Sequence, residues 1–570
     1  MPSTKSSEQW IESTLAAMSI PELVGQMLVA DFAAVFTHRA HENFQRLERI
    51  LREQHVGGII LAGGNVLDIA LLTNELQQLS KLPLLVNADL ETGLQFFWRP
   101  WLRVRGRAPD MPAFLPGGGT AMPCMMAIGA TRSAEHAYDA GRITALEARA
   151  MGIHWTNSPV LDVNNNPRNP IINTRSFGED PQLVARLGAA YVQGCQSEGV
   201  IATVKHFPGH GDTSQDTHMQ LPVMNFDETR LHAMELIPFK AAIGAGAKAV
   251  MTAHIALPQI DASKRPATLS RKIITELLRE QLGFNGLVVT DAFTMQGITD
   301  HYGQEEAAVL AAQAGADMLL IPADTAKVHQ RLVQAVTNGE VAREQIHAAV
   351  RRILTAKAEL NLHVSRRVSF ENIMTTVGAP ESHNIAEKIS AEALTLLEHD
   401  GRALPLRAQP PKKIFALVIS NALQQGDGAH LHECLSRYGH QIDMLSFLHE
   451  PTPAALERAL SQCREAELVL VTMYLSVGAW KGAMRIPALA YDFMNTAQAM
   501  HKPMLAVSFG DPYVFEHLPP MSASLCAYNG GRMMEGLVVR ALMGELDMRG
   551  KLPVTIPHRF AFGAGLEFKA

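Results

Sequence analysis

Apolar positions cluster in short runs rich in β-branched residues at 27–32, 58–62, 83–88, 153–162, 201–207, 249–255, 286–291 and 317–322, with enough chain between successive runs for a helix. Eight strands alternating with helices predict a (β/α)8 TIM-type barrel rather than an open sheet. In such a barrel the loops at the C-terminal ends of the strands build the binding site. Polar residues crowd there: Asp31, Gly63-Gly64-Asn65, Asp89 with Glu91, Asp162, Lys205-His206, His254 and Asp291 stand at or just past a predicted strand end. Each of them alone also suits a loop or a helix cap. Their convergence on one end of the barrel is what marks a site.

The alternation lapses between 360 and 413, where residues 381–397, just after Pro380, have the spacing of an amphipathic helix. The reading is a barrel domain over 1–360, a connection with a helix over 361–412 and a second domain over 413–570. Runs at 414–420, 442–447, 468–474, 504–510 and 524–528, with helical stretches such as 453–466 between them, predict a smaller α/β/α sandwich for that second domain. Length agrees, because 570 residues at 47% hydrophobic exceed what one core holds, growth stopping near ~250–300 residues. The segment 96–119 stands apart. It carries WRPWLRVRGR and then GGG, and its Trp98 and Trp101 suit either a substrate lip or a packed insertion.

Composition removes several classes of function. A net charge of −6, from 50 Lys+Arg against 56 Asp+Glu and without a basic run, gives no footing to nucleic acid or to a polybasic membrane contact. No apolar stretch approaches the ~18–20 residues needed to cross a bilayer, and the polar start has no charged region leading into an apolar one. Five scattered cysteines without a C-x-x-C pair argue against a disulfide framework and a Cys-rich zinc site. A cytoplasmic protein acting on small or weakly charged ligands is expected.

The densest chemical signal is KHFPGHGDTSQDTH at 205–218, too rich in Gly and polar residues for a helix and so a loop over the site. Asp216 and His218 are one residue apart within it. In a turn, that spacing lets a carboxylate hold one ring nitrogen while the other faces a substrate, which fixes the tautomer and raises basicity. Asp291 ends the apolar run LVVTD, a rigid place for a nucleophile or a metal ligand. The same residues admit a different class, because His206, His210, Asp212, Asp216, His218 and His254 have the donor types of a zinc or manganese hydrolase.

The motif KHFPGHGDTSQDTH resembles the signature of glycoside hydrolase family three, and within it of bacterial β-N-acetylglucosaminidases. Similar stretches are GGIILAGGN at 57–65, SPVLDVNNNPRNPIINTRSFGEDP at 158–181, VVTDAFTMQGI at 288–298, SFGDPY at 508–513 and GELDMRGKLPVTIP at 544–557. The resemblance implies a retaining glycosidase of terminal β-linked N-acetylglucosamine, from peptidoglycan fragments or chitooligosaccharides, with no cofactor and no metal. It implies Asp291 as nucleophile, Asp216 and His218 as the acid/base pair, and Asp89, Asp162, Arg175, Lys205 and His206 as binders of the terminal sugar. A β-glucosidase or β-xylosidase is the alternative within the family. At DLETGLQ (89–95) the chain departs from the group's acidic-Gly-Gly-Arg stretch, leaving no matched binding arginine at that place.

Overall fold

A computed structural model describes residues 4–34, 37–94, 119–217, 219–420, 427–448, 450–476 and 486–570. They form two compact units. The first comprises Met1–Met122, Ala137–Val163 and Ala185–His383, and the second comprises Pro123–His136, Asn164–Val184 and Asn384–Ala570.

In the first unit the strands are β1 (Leu28–Ala33), β2 (Gly58–Ala62), β3 (Leu85–Ala88), β4 (Glu91–Leu94), β5 (Trp155–Thr156), β6 (Ile201–Phe207), β7 (Ala249–Thr252), β8 (Leu287–Thr290) and β9 (Leu319–Leu320). All but β4 join one parallel sheet in the order β8-β7-β6-β5-β3-β2-β1-β9, and a bridge between Val289 and Met318 links β8 to β9. The ring therefore closes as the (β/α)8 pattern predicts. Strands buried on both faces read as unbroken apolar runs, which is why β6 coincides with its sequence prediction. The predicted strand 153–162 is shorter. Its regular ladder stops at Thr156, although the Asn157 amide still donates to Ala88 O and Ser158 O accepts from the Thr203 amide, and a bridge joins Val160 to Lys205. Asp31 lies inside β1 and is buried, while Asn65 accepts from the Asp68 amide as the cap of the helix Val66–Leu79. Among the described residues no helix is long and apolar enough to cross a membrane.

The second unit holds β10 (Thr395–His399), β11 (Lys413–Ser420), β12 (Gln441–Leu448), β13 (Leu468–Tyr474), β14 (Met504–Ser508) and β15 (Ala523–Cys526). Their order is β10-β15-β14-β13-β11-β12, parallel except for β10 against β15. Alternate residues of β11 feed two cores, Phe415, Leu417 and Ile419 into one and Ile414 and Val418 into the other, which makes the expected sandwich. The helix expected over 381–397 ends at Ala393. Its apolar spacing continues to Leu397, yet the backbone of Thr395–His399 pairs with β15 instead, so sheet pairing overrides helical periodicity. Just past β11, Glu535 accepts from the amides of Gly428 and Leu431 at 3.2 and 2.8 Å, at the N-terminus of the helix Ala429–Arg437, and from the Tyr474 hydroxyl at 3.0 Å.

One buried cation in the barrel unit is left with little compensation. Lys357, on the helix Arg343–Glu359, is fully buried and donates to Gln26 Oε1 at 2.5 Å. Burial pushes its ammonium down from the usual 10.5 to about 7. Between these values the unfolded chain binds more protons than the folded one, so this group makes stability rise with pH from about 7 to about 10.5. Lys357→Met should therefore stabilise the protein at pH 7 by on the order of a few kcal/mol. The gain should shrink at pH 9. Thermal unfolding midpoints of both proteins at the two pH values check this.

Candidate active site

β6 carries Lys205 and His206 just before its last residue, Phe207, and the two side chains engage different partners. A buried ammonium needs opposite charge and hydrogen bonds. Lys205 Nζ finds them in Asp89 Oδ1 at 3.0 Å, just past β3, and in Glu91 Oε1 at 2.7 Å, the first residue of β4. His206 turns to Asp162, a carboxylate with no exposed surface. Asp162 accepts from His206 Nδ1 at 2.7 Å, from the His206 amide at 3.2 Å and from the His210 amide at 2.6 Å. Burial alone would raise its pKa, but the His206 and His210 rings and these donors outweigh burial and hold it below the usual carboxylate range. With Asp162 ionised, His206 Nδ1 carries the hydrogen that it donates.

His210 then organises the loop beyond it. Its Nδ1 meets Thr213 Oγ1 at 3.0 Å and its Nε2 meets Thr217 Oγ1 at 3.2 Å. Burial pushes this imidazole down to about 4, against the pull of Asp162 and Asp216, so the ring is neutral at ordinary pH. Gly211 has no room for a side chain, since a Cβ would stand 1.8 Å from Val163 O. Asp216 is buried and its carbonyl accepts from the Met219 and Gln220 amides. The Thr217 carbonyl accepts from the Gly297 amide at 3.2 Å. The loop therefore rests on the segment just past β8.

Asp291 is the first residue beyond β8. Its amide donates to Thr252 O at 3.3 Å, its Oδ1 accepts from the Ala292 amide at 2.7 Å, and its side chain is half-buried. The fold thus brings Asp89, Asp162, Lys205, His206, Asp216 and Asp291 to the C-terminal ends of the barrel strands or the loop above them. Arg175 belongs to the second unit, where it ends the short turn Asn173–Arg175 and donates to Ile171 O at 3.1 Å. His218 and most of the 96–119 segment lie outside the described residues. Of the metal reading, His206, His210 and His254 are hydrogen-bonded to Asp162, to Thr213 and Thr217, and to Thr268 and Ala292, and among the described residues no group of three or more His, Cys, Asp or Glu side chains is placed to hold a metal ion.

Sequence reasoning missed a second anchor of the loop. Arg230, from the helix Glu228–Ala233, donates to Asp212 Oδ2 at 3.2 Å and to Glu235 Oε1 at 2.9 Å. Glu235 is almost wholly buried, and burial raises its pKa despite Arg230. Charged residues beside a helix read in sequence as a solvated face, so nothing there signals this bridge.

Known proteins resemble the chain along its whole length. Residues 19–356 match the Glycosyl hydrolase family 3 N terminal domain and residues 394–563 the Glycosyl hydrolase family 3 C-terminal domain. A Cellulomonas fimi protein named β-N-acetylglucosaminidase/β-glucosidase is 29% identical over 568 residues, 96% of this chain and 95% of that protein. The structure of a glycoside hydrolase family 3 β-N-acetylglucosaminidase from Paenibacillus sp. strain FPU-7 superposes with a TM-score of 0.82 at 31% identity, covering 95% of this chain and 99% of that one. A β-glucoside phosphorylase superposes with a TM-score of 0.86 at 26% identity, covering 97% of each chain.

The Arg230 bridge makes the loop's stability measurable. Arg230→Gln leaves Glu235 buried without its cation and should cost about 1–3 kcal/mol, with faster backbone amide exchange across 209–217. Asp212→Asn should cost much less, because Asp212 is reached by solvent and its pair is weak. Hydrogen exchange and thermal melts of the two variants test this order, and equal effects would count against the bridge as the anchor.

Proposed function

Because the chain belongs to glycosyl hydrolase family 3, matched across both domains of the family, we propose that it is a retaining β-N-acetylglucosaminidase. It releases terminal β-linked N-acetylglucosamine from peptidoglycan fragments or chitooligosaccharides. The observation that carries this reading is the strand-end constellation: Lys205 clamped by Asp89 and Glu91, and His206 by Asp162, on the same barrel face as Asp291. The names of the Cellulomonas and Paenibacillus relatives support the choice of sugar.

In this mechanism an Asp291 carboxylate oxygen bonds to the anomeric carbon as the bond to the glycosidic oxygen breaks, and His218 protonates that departing oxygen. A water oxygen then bonds to the same carbon from the opposite side, His218 takes its proton, and the bond to Asp291 breaks to restore the carboxylate. Asp216 orients His218. Lys205, His206, Asp89, Asp162 and Arg175 hold the hydroxyls of the terminal sugar. The Ala292 amide on Asp291 Oδ1 keeps the carboxylate aimed.

The likeness to a β-glucoside phosphorylase favours a second reading, in which inorganic phosphate replaces water in the second step. A panel of 4-nitrophenyl β-N-acetylglucosaminide, β-glucoside and β-xyloside, run with and without phosphate, separates the readings. Preference for the first substrate with free sugar as product supports the hydrolase. A sugar 1-phosphate that appears only with phosphate identifies the phosphorylase, and preference for glucoside or xyloside overturns the choice of sugar.

Asp291→Ala should remove nearly all turnover while the barrel stays folded, since the residue lies on the catalytic rather than the stability face. A slow fluorinated glycosyl donor should label Asp291, and label on another residue would remove it as nucleophile. His218→Ala should slow substrates with poor leaving groups far more than activated aryl glycosides, and azide should restore part of the rate on activated ones. Asp216→Ala should show a weaker form of the same pattern. Uniform loss without azide rescue would make His218 a binding residue only.

A further inference from the structure

His254 stands two residues beyond the end of β7 and is wholly buried, and the catalytic scheme leaves it without a task. Both of its ring nitrogens are engaged. Nε2 lies 3.1 Å from Ala292 O, and since a carbonyl only accepts, Nε2 carries the hydrogen. Nδ1 lies 2.9 Å from Thr268 Oγ1, which is itself 3.1 Å from Thr252 Oγ1 and 3.0 Å from Ala253 O. The Phe293 ring lies at 26° to the imidazole, with centroids 6.5 Å apart. An enclosed ring with both nitrogens bonded is not placed to exchange a proton with a substrate. It is placed to hold a piece of backbone.

That piece is the one that aims Asp291. Ala292 gives its amide to Asp291 Oδ1 at 2.7 Å and receives His254 at its carbonyl. The two peptide groups share one Cα, so a tether on the carbonyl limits how far the amide can swing. The neighbouring contacts point the same way. Met295 also donates to Ala292 O at 3.1 Å, the Phe293 amide donates to Leu320 O at 3.0 Å, and the Asp291 amide donates to Thr252 O. His254 is the only side chain among these donors, and it comes from the strand next to β8.

We propose that His254 is a positioning residue for the Asp291 carboxylate, acting through the Ala292 carbonyl. This rests on the reading of Asp291 as the attacking group. An attacking oxygen displaced by a fraction of an ångström slows both covalent steps alike, because the same bond forms in the first and breaks in the second. A fault in the acid/base loop behaves differently and weighs on poor leaving groups.

The test compares His254→Met, His254→Gln and His254→Asn in the full-length protein, alongside Asp291→Ala. Glutamine Nε2 reaches the position of the lost ring nitrogen and asparagine stops short of it. His254→Met should lower kcat on the order of tenfold to a hundredfold with KM changed by less than about threefold. The factor should be the same for good and poor leaving groups, labelling by the slow fluorinated donor should slow in proportion, and His254→Gln should recover most of the loss while His254→Asn does not. Turnover of His254→Met within about threefold of wild type, a loss confined to KM, or a loss that grows with leaving-group basicity overturns the proposal. If His254→Met does not fold, the comparison of Gln with Asn decides, and equal kcat for these two overturns it. Active Asp291→Ala sinks the nucleophile reading and this proposal together. Inactive Asp291→Ala beside a near-normal His254→Met sinks this proposal alone.

Discussion

A carboxylate with no exposed surface dictates the shape of the barrel at the C-terminal ends of its strands. Leaving an ion such as Asp162 in the interior costs several kcal/mol unless donors surround it. The protein meets that demand by curling residues 206–210 around it, so that two backbone amides and one imidazole point at the same two oxygens. The chain leaving this curl passes Val163 too closely for any residue but glycine at 211. The rest of the loop is constrained in turn: His210 grips Thr213 and Thr217, and Thr217 reaches the Gly297 amide. The loop over the site is thus placed from below by one charge and from the side by the segment that carries Asp291.

Much of the architecture was legible because parallel strands buried on both faces announce themselves as apolar runs. β6 and β13 coincide with their predicted runs, and the polar residues at the ends of the barrel strands were recognisable as a set. Their pairing was not. No spacing rule says that Lys205 turns to Asp89 and Glu91 while its neighbour His206 turns to Asp162, since partners 44 or 116 residues apart in sequence are joined only by the lateral pairing of β3, β5 and β6. Elements whose identity comes from a tertiary partner were also hidden. β10 reads as the end of a helix until β15 claims its backbone, and Arg230 with Glu235 reads as a wetted helix face until Asp212 is brought beside them. Asn65, grouped by sequence with the polar residues of the site, serves as the cap of a helix.

The barrel treats buried cations in two opposite ways. Lys205, near the C-terminal end of its strand, is clamped by two carboxylates. Lys357, on an outer helix, meets the neutral Gln26, and burial lowers its ammonium to about 7. The first arrangement sets the ammonium against opposite charge, as a buried ion requires. The second gives up stability at neutral pH for no charge that a ligand could meet. The contrast matches the division of labour in such barrels, in which one face carries chemistry and the rest carries the fold.

The strand order β12-β11-β13-β14-β15 of the second unit is a doubly wound one, and sheets of that kind offer a crevice at the carboxyl ends of the first and third strands where anions settle on a helix N-terminus. Here Glu535 already occupies that helix end, bonded to the Gly428 and Leu431 amides and to Tyr474. A phosphate or nucleotide would have to evict an internal carboxylate from both amides before it could bind there. The scaffold best known for holding cofactors has, in this chain, supplied a tenant of its own at that helix end, and a geometry suited to capturing ligands is turned there to holding the domain together.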